Sequence, residues 1–148
     1  MRFGEGKWRV NHLAFQAGYS CKITRGLAGI DKASPGYKDI VIKPYIPDNA
    51  AQAADSRTTS VTATVGSSFG TIGSGWQLAS DSSLTMSVVI PVGASATIYV
   101  PAVSGKQNTV LVSHGTVTDQ PIAGTLASGY VVIKNVPSGQ YTFKRTAN

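Results

Sequence analysis

The stretch Leu84-Thr85-Met86-Ser87-Val88-Val89-Ile90-Pro91-Val92-Gly93-Ala94-Ser95-Ala96-Thr97-Ile98-Tyr99-Val100-Pro101 decides how the rest of the chain is read. Leu84, Met86, Val88 and Ile90 alternate with Thr85, Ser87 and Val89, the period of two that sends successive side chains to opposite faces of a sheet. Pro91 fixes φ and withholds a ladder donor, Gly93 admits a positive φ, and Ala96, Ile98 and Val100 then resume the alternation. The stretch therefore predicts a β-hairpin with one apolar face running over both strands.

Outward from it, the same period recurs in short runs. Residues 39–46 alternate, with Pro44 either placing that strand at an edge or ending its pairing. Val61, Ala63 and Val65 alternate with threonines, residues 66–70 turn, and Ile72, Ser74, Trp76 and Leu78 share one face while Gly73 and Gly75 leave the other bare. Residues 109–114, 130–136 and 140–145 complete the series, separated by Gly, Ser, Asn and Pro clusters. About eight short strands with no alternating helices predict a mainly β fold, an antiparallel β-sandwich of jelly-roll-like kind. Residues 47–59 carry neither period and read as a loop.

One segment changes period. Phe15, Tyr19, Ile23 and Leu27 recur every four residues, which predicts an N-terminal α-helix over residues 11–27. Asn11 can cap its start, and Gly29 followed by Ile30 fits a left-handed C-terminal cap backed by an apolar residue. Pro35 and Gly36 mark a tight turn after it. The expected division is a helical segment over residues 1–30 and a sandwich over residues 31–148.

A chain of 148 residues is of single-domain size. Charged residues make up only 14%, against roughly 25% in an average soluble domain, so hydroxyl groups keep the surface polar. The net charge is +6, but the basic residues are scattered without interleaved aromatics, which argues against a nucleic-acid partner. No run approaches the ~20 apolar residues of a membrane span, and no membrane partner or compartment is assigned. Cys21 is the only cysteine, so no internal disulfide forms. The opening residues 1–8 read as an internal stretch of a longer coding sequence.

Candidates for chemistry are few. His12 and His114 are the only histidines, they are far apart, and no metal-ligand spacing or phosphate-cradling motif occurs, so neither metal nor cofactor is expected. His114, beside Gly115 at a strand end, reads as a surface turn residue. Glu5 is the only glutamate, and the aspartates fall mostly in turns or at strand ends, where local hydrogen bonding explains them. Among Trp8, Tyr45, Trp76, Tyr99, Tyr130 and Tyr141, Trp76 is in register with Ile72 and Leu78 and reads as core. Tyr45 and Tyr99 face away from the apolar stripes and are the better candidates for a carbohydrate-stacking platform.

Three groups of motifs carry a resemblance. Asn11-His12-Leu13-Ala14-Phe15, Leu27-Ala28-Gly29-Ile30 and Pro35-Gly36-Tyr37-Lys38-Asp39-Ile40-Val41-Ile42-Lys43-Pro44 come first. Val61-Thr62-Ala63, Phe69-Gly70-Thr71-Ile72 with Trp76, and Val89-Ile90-Pro91-Val92-Gly93 with Ala96-Thr97-Ile98-Tyr99-Val100-Pro101 follow. Ser138-Gly139-Gln140-Tyr141-Thr142-Phe143 closes the series. In this order and spacing they resemble the C-terminal end of bacterial α-L-rhamnosidases of glycoside hydrolase family 78.

The resemblance implies that residues 9–30 match the last helix of an (α/α)6 catalytic barrel and that the rest is the family's C-terminal β-sandwich. His12 matches a histidine that lines the sugar pocket, although Val10 stands where the family has a small or hydroxylated residue before Asn-His. The helices carrying the catalytic carboxylates would lie upstream. The implied function is a non-catalytic accessory domain of an enzyme that removes terminal α-L-rhamnosides, with no catalytic residue in this chain and the upstream barrel as its partner. The alternative is a carbohydrate-binding module for rhamnose-containing or other polysaccharide. A helix stripe shaped for a barrel also predicts a homo-oligomer formed through the N-terminal helix when no barrel covers it.

Overall fold

A computed structural model describes residues 21–46, 58–103 and 108–147. Eleven strands lie among them: β1 Ile30–Lys32, β2 Asp39–Ile42, β3 Ser60–Ser67, β4 Gly70–Leu78, β5 Leu84–Ile90, β6 Ser95–Pro101, β7 Asn108–His114, β8 Val117–Pro121, β9 Thr125–Ala127, β10 Tyr130–Val136 and β11 Gly139–Ala147. They form two sheets, one of five strands in the order β1-β2-β6-β10-β9 and one of six in the order β3-β4-β5-β11-β7-β8. Alternating side chains from both inner faces fill the space between them, as the packing of two half-apolar sheets requires. Ile40, Ile42, Ile98, Val100 and Ile133 come from the first sheet, and Ile72, Trp76, Met86, Val88 and Phe143 from the second. Each of the larger side chains contributes roughly 1.5–3 kcal/mol by leaving water.

The sandwich is the predicted fold, but the predicted hairpin is not one. β5 pairs with β4 and β11 in the six-stranded sheet, whereas β6 pairs with β2 and β10 in the five-stranded sheet. The link between them is therefore an arch that carries the chain across the core. Alternation is identical in the two cases: in a hairpin the apolar sides share one face, and in an arch they look at each other. Buried Pro91, the Ala94 N–H donated to the Pro91 carbonyl at 3.2 Å and Gly93 at φ 87° make the crossing.

Three strands beyond the expected eight, β1, β8 and β9, lie at sheet edges. β2 ends at Ile42, before Pro44, so the proline ends the pairing; β2 itself is internal, antiparallel to β1 and parallel to β6. Gly73 and Gly75 mark close approach without a bulge, since a Cβ on Gly75 would sit 3.1 Å from the Val61 carbonyl oxygen.

Of the expected helix, residues 11–20 lie outside the described residues, as does almost all of the loop over residues 47–59. The described end differs from an α-helix: Lys22–Leu27 is a π-helical turn, with the Ala28 N–H donating to the Ile23 carbonyl at 2.8 Å. Gly29 follows at φ 72° as the left-handed cap, and buried Ile30 stands behind it. No side chain fits at position 29, because a Cβ there would fall on the Lys43–Pro44 peptide. Ala28 and Ile30 both belong to the sandwich core.

Candidate functional site

Where the helical segment meets the sandwich, four consecutive carbonyls are taken up. The last carbonyls of a helix lack intrahelical donors and must find others. The Tyr45 N–H donates to Gly26 O at 3.1 Å, Trp76 Nε1 to Leu27 O at 2.8 Å, Ser74 Oγ to Ala28 O at 2.7 Å, and the Lys43 N–H to Gly29 O at 2.8 Å. Two donors are backbone groups just after β2 and two are side chains on the inner face of β4. Trp76 and Ser74 are both buried, and the Ser74–Ala28 bond lies where water does not compete. Trp76 is thus a core residue, as its register predicts, but one with a polar task that the apolar pattern conceals.

The chain segment that makes this seam also carries the aromatic cluster. Ile40 and Ile42 point into the core, which turns Val41 and Lys43 outward, and Tyr45 is 58% exposed. On β6 the same parity turns Tyr99 outward, opposite Val132 of β10, while Tyr130 pairs with Pro101. The Tyr99 and Tyr130 rings meet edge to face at 6.0 Å and 84°. Lys43 Nζ lies over both, 5.3 Å from the Tyr99 centroid and 5.1 Å from that of Tyr130. The Tyr130 hydroxyl donates to Pro44 O at 3.4 Å; burial, and then the neighbouring Tyr45 phenol, raise its pKa above the ordinary tyrosine value. Tyr45, from the segment after β2, and Tyr99, from β6, are gathered on one face with Tyr130. Lys43 was legible only as one of many scattered bases, since its place among the tyrosines depends on the parallel β2–β6 pairing.

The remaining candidates are dispersed. His12 and Trp8 lie outside the described residues. His114 ends β7 exposed, stacked on Tyr141 at 4.3 Å and 24°, beside an open depression of about 500 Å³. On the outer face of the six-stranded sheet, Gly73 and Gly75 floor a neutral groove of about 310 Å³ lined by Thr62, Thr64, Thr85 and Ser87. The described carboxylates serve local structure. Asp81 accepts from the Ser83 N–H and hydroxyl, and Asp119 binds Lys144 Nζ at 3.0 Å and the Ser113 hydroxyl at 3.1 Å; these bonds hold both carboxyls below the ordinary range. Asp31 lies 3.8 Å from Arg25, and Asp39 accepts from Ser95. Among the described residues, no group of three His, Cys, Asp or Glu side chains is placed to hold a metal.

The family model of the bacterial α-L-rhamnosidase C-terminal domain matches residues 29–114, more than half of the chain. The chain belongs to this family. The matched part of this rhamnosidase C-terminal domain runs from Gly29 of the seam to the end of β7, and includes Lys43, Tyr45, Trp76 and Tyr99. Two solved structures share its fold. The α-L-rhamnosidase from Dictyoglumus thermophilum is 22% identical with a TM-score of 0.63, and the Streptomyces avermitilis α-L-rhamnosidase complexed with L-rhamnose is 25% identical with a TM-score of 0.62. Each likeness covers 82% of this chain but only 12% and 10% of the respective enzyme, so the chain spans about a tenth of their length. A search of curated proteins finds no match.

Proposed function

We propose that the chain is the non-catalytic C-terminal sandwich of an α-L-rhamnosidase-like glycoside hydrolase, and that it fixes the end of the last helix of a catalytic barrel formed by upstream sequence. The observation that carries this reading is the seam: Gly26, Leu27, Ala28 and Gly29 each give their carbonyl to a donor from the sandwich. Four such bonds in a row, at about 1 kcal/mol each net, hold a helix terminus in one direction, which is what an abutting domain must do to a barrel helix. In this reading the segment over residues 1–30 carries the barrel's last helix, which ends at Leu27, His12 is a sugar-pocket residue whose pocket is made elsewhere, and the chain has no catalytic residue of its own. Where no barrel covers the apolar stripe of the helix, a second copy of the chain does.

Purified protein incubated with an aryl α-L-rhamnoside should release nothing above buffer. Turnover that survives repurification and disappears on changing a single carboxylate would overturn the accessory reading.

A second reading is favoured by the gathering of Tyr45, Tyr99 and Tyr130 on one face: carbohydrate binding by the sandwich itself. Affinity electrophoresis through rhamnose-containing polysaccharide tests it, with saturable retardation lost in Tyr45→Ala as the expected result and unretarded migration of the parent protein as the contrary one.

A further inference from the structure

Lys43 is the unusual member of the tyrosine cluster. Among the described residues, the ammonium and guanidinium groups with ionic partners are Arg25, beside Asp31, and Lys144, beside Asp119; no described carboxylate lies within ion-pairing distance of Lys43 Nζ. Two tyrosine rings hold it instead. Contact with two ring faces restrains the lysine stem while leaving its charge unneutralised. The backbone beneath is fixed as well, since the Lys43 N–H is bound to Gly29 O and Pro44 is fully buried. The result is a positioned ammonium on an outer sheet face, with the exposed ring of Tyr45 two residues along the chain.

We propose that this face binds a uronate, the carboxylate-bearing sugar unit of an acidic polysaccharide, with Lys43 taking the carboxylate and Tyr45 stacking on the ring. The proposal rests on the carbohydrate-binding reading above and narrows it to one chemical class. A charge-assisted bond from ammonium to carboxylate is about twice as strong as a neutral one, and a neutral sugar leaves that donor without its best acceptor. The axial C–H face of a pyranose matches the flat, exposed Tyr45 ring, and its hydroxyls match the phenol oxygens. A carboxylate on a peptide offers the charge without the stacking face. The net charge of +6 adds long-range attraction for a polyanion.

Calorimetry with polygalacturonate, with the same polymer after reduction of its carboxyls to alcohols, and with polyglutamate separates the possibilities. The parent protein should bind polygalacturonate in preference to both others, more weakly as salt rises. Lys43→Gln should lower that affinity about tenfold or more, and Tyr45→Ala, at an exposed side chain, should do the same without altering the melting temperature. Lys134→Gln, which removes an equal charge from an exposed position on β10, should change it by less than about twofold. Equal binding of the reduced polymer defeats the uronate proposal and leaves carbohydrate binding standing; binding of neither saccharide defeats both. If polyglutamate binds as well as polygalacturonate, or Lys134→Gln is as harmful as Lys43→Gln, the attraction is diffuse charge and the proposal falls.

Discussion

Arg145 keeps 3% of its surface exposed and faces no carboxylate among the described residues. Its Nη1 donates to Pro101 O at 2.9 Å and its Nη2 to Ser82 O, while Nε has no partner among the described residues. Pro101 ends β6 in one sheet and Ser82 precedes β5 in the other, so a single guanidinium from β11 ties the two layers together. Burial lowers its pKa below the ordinary arginine value, yet arginine stays charged at any working pH, so the desolvation cost is constant and the carbonyl bonds offset it. Arg145→Ala should lose about 2–4 kcal/mol, because it leaves a void in the core and takes the donor from two carbonyls. Arg145→Met should lose less, since it fills the volume and removes the buried charge. Urea unfolding of the two variants checks the order; an alanine variant as stable as the parent would mean that the clamp carries no net energy. Arg145 shares the inward parity of Phe143 on β11, but nothing in the sequence reading marked it as buried, and its two carbonyl acceptors come from positions far away in sequence.

At the scale of elements, what the sequence showed follows from how many faces an element buries. Central strands such as β5 and β6 bury one face against the opposite sheet, and their alternation exposed them plainly. Edge strands β8 and β9 are exposed along most of their length, have little apolar pattern, and escaped. The arch between β5 and β6 escaped for another reason, since periodicity reports which side of a strand is apolar and not which strand lies beside it. The seam escaped because its side-chain donors, Trp76 and Ser74, stand 49 and 46 residues from the carbonyls they bind. Trp76→Phe takes the indole donor from the half-buried Leu27 carbonyl, and Ser74→Ala leaves the buried Ala28 carbonyl unsatisfied at about 1–3 kcal/mol. In both variants hydrogen exchange should quicken at the Ala28 and Tyr45 amides, which bond within and beside the helical turn. The β5–β11 ladder amides should be unchanged. Unaltered exchange at Ala28 and Tyr45 would show that the two side chains do not hold the helix end.

For the molecule as a whole, the seam determines how the proposed pairing between copies can be tested. The sandwich encloses its own core and leaves Ile23, a described member of the predicted stripe, 39% exposed. Burying a side chain of that size is worth roughly 1.5–3 kcal/mol, and a two-fold pairing is the commonest closed arrangement for a self-complementary patch. Removing everything before Asp31 would not test this cleanly, since Ala28 and Ile30 belong to the core and the four seam carbonyls would go with them. A chain that starts at Cys21 keeps both. Light scattering should find the full chain as a dimer at high micromolar concentration and the Cys21 start as a folded monomer, and Ile23→Glu in the full chain should shift it toward monomer. If the full chain is monomeric at that concentration and its helix resists proteolysis, the stripe is covered within one molecule and pairing between copies is refuted.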